Sequence, residues 1–146
     1  MPLLDQPQIR HLIPHAGSMC LLDAVLDWDA TTIRCRARSH RDPQHPLRAN
    51  NRLAALHLIE YGAQAMAVHG GLLARQYGRE ALPGMLVGVR GASFEVDRID
   101  NIDSDLEVRA SQRVASGNGW LYDFEIDAGG QRLAQGRVSV IPTRSR

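Results

Sequence analysis

Four polar residues, His57, Glu60, Tyr61 and Gln64, stand three and four positions apart in a run otherwise dominated by Ala, Leu, Ile and Gly. Residues at those spacings share one face of a helix. An imidazole, a carboxylate and an amide on one patch of a helix destined for a core need a reason. Two readings stand side by side: the face is solvated and touches nothing, or it lines a cavity. The second suits a definite chemistry. Removing water across a carbon–carbon bond beside a thioester takes a base for the α-proton and an acid for the leaving β-hydroxyl. A histidine and a carboxylate can divide those roles, and free N–H groups at a helix start can polarise the thioester carbonyl.

The polar, proline-containing stretch Ser39–Asn51 carries His40 and His45 and leads into this helix. Metal chemistry finds little support. The pairs His11/His15 and His40/His45 sit in neither an HExxH nor a Cys/His cluster, so no metal ligand and no cofactor is expected. Ser18 follows Gly17 without a GxSxG elbow, which argues against a serine nucleophile. All 17 basic residues are arginine, which removes Schiff-base chemistry. His69, deep in the helical run, reads as a packed or capping histidine.

The elements that must position these groups follow from periodicity. Leu53–Tyr77 is free of proline and repeats apolar or small pairs from Ala54/Ala55 to Gly70/Gly71, which predicts one long helix capped by Asn50 or Asn51. Gly70–Gly71 is a place where it can end or loosen. Ser18–Trp28 reads as a strand or part of a helix. Thr31–Arg38 alternates Ile33, Cys35 and Ala37 with three arginines, the pattern of a strand with one face in the core. Strands also follow in Gly84–Arg98, Leu106–Ser111, Trp120–Ala128 and Gln131–Ile141. Gly129–Gly130 forms a two-residue hairpin turn, and 97–105 and 116–119 are turns. One helix cannot bury its stripe alone. The economical solution is an α+β domain over 1–146, with one long central helix wrapped by an antiparallel sheet of about six strands.

Composition bounds the rest. The 146 residues suit one domain, 44% are hydrophobic, and the net charge is +1. Nothing there draws the chain to nucleic acid or an anionic membrane. No stretch approaches a bilayer span, and the N-terminus lacks the form of a signal peptide, so a cytoplasmic location is expected. Cys20 and Cys35 read as two buried free thiols.

Two segments resemble a known family. Ile13–Trp28, IPHAGSMCLLDAVLDW, resembles the LPHR-x-P-x-LL-x-D-x-V opening of the β-hydroxyacyl-acyl-carrier-protein dehydratases of the FabZ type. Leu56–Leu73 resembles their L-x-x-E-A-x-A-Q segment, with Glu60 and Gln64 matching. The longer string from HRDPQHPLR through EYGAQAMAVHGG is closer still to the hotdog dehydratase-like proteins of aryl polyene and related pigment clusters.

The resemblance implies a hotdog fold. It implies a homodimer or heterodimer with another hotdog subunit, and an active site between subunits built from a loop histidine of one and the helix glutamate of the other. It implies 3-hydroxyacyl thioesters as substrates, held on the 4′-phosphopantetheine of an acyl carrier protein. Carried over, Glu60 is the acid and His45 the best match for the base, with Gln64, His57 and Tyr61 lining the substrate. His15 matches the opening motif in a structural place. The family's GHFPG loop reads here as Gln44-His45-Pro46-Leu47, without either glycine. The Pro-Gly that opens the family's helix is replaced by Arg52-Leu53-Ala54, and His45 sits one residue further from Glu60. His40 and His57 are therefore alternatives as base. Competing functions are a non-catalytic hotdog subunit of a heteromeric dehydratase and an acyl thioesterase.

Overall fold

The computed structural model describes residues 2–79 and 84–142. The side chains of Pro14, His15, Ser18 and Met85 lie outside the described set, so the expectation for His15 falls there too. The elements run β1 (Leu4–Asp5), α1 (Gln6–Leu12), β2 (Ala24–Trp28), β3 (Thr32–Ala37), α2 (Leu58–Gln76), β4 (Gly84–Phe94), β5 (Leu106–Ser116), β6 (Gly119–Ala128) and β7 (Gln131–Pro142). The strands form one antiparallel sheet ordered β1-β2-β3-β5-β6-β7-β4, seven strands where about six were expected. The additional strand is the two-residue β1, paired with β2.

Alternation does what period two requires. Ile33, Cys35 and Ala37 of β3, Leu106, Val108 and Ala110 of β5, and Tyr122, Phe124, Ile126 and Ala128 of β6 are all buried. They face α2, which packs on β3, β5 and β6 and buries Leu58, Tyr61, Ala65, Val68, His69 and Leu72. Helix and sheet approach closely at Gly62, where an added Cβ would stand 2.9 Å from Phe124 Cγ. Gly136 presses the same ring from β7, its Cβ position 2.9 Å from Phe124 Cε1. Cys20 and Cys35 are both buried and free, and burial pushes the Cys35 thiol up to about 12.

Several boundaries differ from the sequence expectation. The long helix begins at Leu58, after a 3-10 turn at Ala55–His57, rather than at Leu53. Asn50 and Asn51 do not cap it. Both have positive φ (52° and 61°) in a tight turn closed by Ala49 and Arg52, which exchange both backbone hydrogen bonds. Asparagine tolerates that conformation, so the pair makes a turn instead of a cap. Gly70 and Gly71 leave the helix unbroken; Gly71 gives room to Leu12, whose Cδ2 would lie 3.2 Å from a Cβ there. β4 ends at Phe94, and its register shifts at Leu86/Gly88 and Arg90/Ser93, with Gly91 at φ +59° in the second bulge. Val87, inside the first bulge, is half exposed.

Candidate active site

Two hydrogen-bonded clusters meet at the backbone of Leu21, one at its N–H and one at its carbonyl, inside the Leu-Leu of the opening motif. The first fixes Glu60. Gln64, on the next turn of α2, accepts from the Leu21 N–H through Oε1 (2.8 Å) and donates through Nε2 to the Met19 carbonyl. Its remaining amide hydrogen goes to Glu60 Oε1 at 3.2 Å. All of the Gln64 amide is thereby used, and the half-buried Glu60 carboxylate is tied to a rigid partner in the first turn of the helix.

The second cluster fixes His45. The Ser39 hydroxyl donates to the Leu21 carbonyl (2.8 Å), and Ser39 Oγ lies 2.8 Å from the Tyr61 hydroxyl. The Tyr61 hydroxyl lies 3.1 Å from His45 Nε2, and His45 Nδ1 accepts from the Leu47 N–H at 3.0 Å. Burial, then the positive charge of Arg48, lowers the pKa of His45. The Tyr61 phenol is buried and pushed well above its ordinary pKa by desolvation.

The structure thus brings together four of the five expected site residues through the backbone of one residue, Leu21, but not as a single exposed face. Tyr61 and Gln64, expected to line the substrate, are 0% and 5% exposed and spend their polar atoms on the protein. Glu60 and His57 remain half-buried at the helix start. His40 is turned away: its Nε2 bonds the Ile102 carbonyl at 3.0 Å, and its Nδ1 is buried without a partner. His69 bonds Tyr122 and the Asp29 carbonyl inside the core, in keeping with a packed histidine. The basic face of β3 is largely neutralised, since Arg34 pairs with Asp27 and Glu107, and Arg38 and Arg41 with Asp105. Among the described residues no group of three His, Cys, Asp or Glu is placed to hold a metal, and no helix is long and apolar enough to cross a membrane.

Sequence reasoning missed Ser39 and the backbone of Leu21 and Leu47. The Leu-Leu motif marked the first backbone segment, but nothing in a polar loop distinguishes Ser39 from its neighbours.

A sequence model of the ApeP-like family, described as ApeP dehydratase, matches residues 7–145. The chain belongs to the ApeP-like dehydratase family. Among solved structures, this ApeP-like dehydratase resembles a chain of the dehydratase heterocomplex ApeI:P from Xenorhabdus doucetiae, at 22% identity and TM-score 0.85 over 99% of this chain and 93% of that one. A thioesterase structure from Shewanella oneidensis matches at 12% identity and TM-score 0.63, over 95% and 97% of the two chains. A thioesterase structure with coenzyme A from Streptococcus pneumoniae matches at 12% and 0.56, over 83% and 87%. At these identities the structural matches establish the hotdog fold. No curated protein matches the chain.

Proposed function

We propose that this chain is a subunit of a hotdog dehydratase that converts 3-hydroxyacyl thioesters on an acyl carrier protein to trans-2-enoyl thioesters in polyene pigment synthesis. The observation that carries the reading is the held carboxylate: Glu60 at the helix start, oriented by Gln64, which is itself locked on Met19 and Leu21. In the reaction a base takes the α-proton, the Cβ–O bond breaks and the carbon–carbon double bond forms. Glu60 gives its proton to the departing hydroxyl, which leaves as water. The family match supports dehydration, and the sequence resemblance supports the carrier-bound substrate and a pigment pathway.

A hotdog partner subunit fits the exposed sheet edge. Among the described residues β4 is an eleven-residue edge strand hydrogen-bonded on one side only, to β7, with Leu86 and Val87 exposed at 41% and 49%. Long edges with apolar side chains are normally covered, commonly by another strand. The Xenorhabdus structure, a dehydratase heterocomplex, supports a partner that is a different subunit.

The test is intact-mass analysis of a 3-hydroxyacyl carrier protein incubated with the purified assembly. Loss of one water supports the reading. Release of free carrier thiol would transfer the assignment to thioester hydrolysis.

A further inference from the structure

His45 sits in a hydrogen-bond chain whose direction is fixed at both ends. At one end the Leu47 N–H, which can only donate, takes the lone pair of His45 Nδ1. A neutral imidazole carries one proton, so that proton is on Nε2 and is donated to the Tyr61 oxygen. At the other end the Leu21 carbonyl can only accept, so Ser39 spends its hydrogen there and receives that of Tyr61. The run reads Leu47 N–H to His45, His45 Nε2–H to Tyr61, Tyr61 O–H to Ser39, Ser39 O–H to Leu21 C=O. Every member has its donor and acceptor matched, and His45 is only 4% exposed. No ring nitrogen is left with a free lone pair. To take an α-proton at Nε2, the ring would have to move its proton to Nδ1, against the Leu47 N–H.

We propose that His45 is not the α-proton base: Leu47, Tyr61 and Ser39 hold it as a neutral Nε2–H donor. That His45 is not the base rests on the dehydratase reading; the locked tautomer stands without it. The lowered pKa of His45, from burial first and Arg48 next, agrees with a ring that stays neutral. Tyr61 and Ser39 are positioning residues, acting on His45 and not on substrate. The altered loop Gln44-His45-Pro46-Leu47 has a physical role in this account, because Leu47 supplies the N–H that occupies Nδ1.

Two measurements test it. Long-range ¹H–¹⁵N spectra of histidine-labelled protein near pH 7 read the tautomer in the unmodified chain, with Tyr61→Phe identifying the His45 signals. A protonated Nε2 with an unprotonated Nδ1 is expected. A proton on Nδ1, or two averaged nitrogens, would overturn the lock. The second is dehydration by the chain purified with its hotdog partner, on 3-hydroxyacyl carrier protein. Gln at position 45 can accept from Leu47 and donate to Tyr61 but cannot act as a base. His45→Gln should therefore keep the parent rate, whereas losing a general base would cut it by about 10²–10⁴-fold. A loss of that size in a variant that still folds and assembles would overturn the proposal. If the parent assembly removes no water, the dehydratase reading and the claim about the base fall together, and the spectra still decide the lock.

Discussion

Acidification from pH 7 to pH 5 should weaken the fold, because three buried imidazoles have nowhere to put a second proton. His40, His45 and His69 are 0%, 4% and 0% exposed. In His40 and His69, Nε2 faces a carbonyl, Ile102 O at 3.0 Å and Asp29 O at 2.8 Å, so it carries the proton. Each Nδ1 is then badly placed for another. That of His40 has no partner, that of His45 faces the Leu47 N–H, and that of His69 faces a Tyr122 hydroxyl already accepting from Gln112. Desolvation lowers the pKa of all three. The unfolded chain takes up these protons near pH 6.5 and the folded chain resists, so the stabilisation is complete above pH 6.5 and is lost as pH falls toward the folded pKa values. Each histidine contributes at most about 1.4 kcal/mol per pH unit, about 4 for the three together. Total stability for a domain of this kind is about 5–15 kcal/mol. Bridged carboxylates such as Asp100 and Asp123, whose pKa values lie below the ordinary range, do not titrate in this window. Urea unfolding followed by circular dichroism at half-unit steps measures the slope. His69→Gln, which retains a donor and an acceptor, should remove about a third of it. A stability that is flat or rises between pH 7 and pH 5 would mean that the folded chain takes up protons on these imidazoles as readily as the unfolded one.

Three further outcomes follow from the same geometry. Gly62→Ala drives a methyl into the near end of the Phe124 ring, 2.9 Å from Cγ, and should cost about 1–3 kcal/mol in urea unfolding. Gln64→Leu leaves the buried Leu21 N–H without its acceptor and frees Glu60. A loss of about 1–3 kcal/mol is expected, with a fall in dehydration rate that Arg75→Ala, at an exposed position in the last turn of the helix, does not produce. Val87→Asp on the β4 edge should separate the assembly into single chains by light scattering while leaving the circular dichroism of each chain intact.

The sheet was legible because its cue is local. Alternation in β3 named the buried Ile33, Cys35 and Ala37, and Gly129–Gly130, with φ of +57° and +81°, makes the expected hairpin turn. The helix start was misplaced because Asn50 and Asn51 suit a cap and a positive-φ turn equally well by type, and only tertiary packing decides between them. α1 was missed although its capping box is written in the sequence: Asp5 accepts from the Gln8 N–H and Gln8 returns the bond to the Asp5 N–H. At the site, spacing found Glu60 and Gln64 as a pair because they lie on adjacent turns of one helix. The tautomer of His45 was beyond sequence. It depends on Ser39, Leu21 and Leu47, which come from separate segments and act largely through backbone atoms.

The most direct test of the central claim is Glu60→Gln in the purified assembly, scored by intact mass for water loss from a 3-hydroxyacyl carrier protein. The variant should assemble normally, keep the Gln64 side chain on Met19 and Leu21, and lose dehydration by about 10²–10⁴-fold. Full water loss by an assembly whose only glutamine-for-glutamate change is at position 60 would contradict that claim.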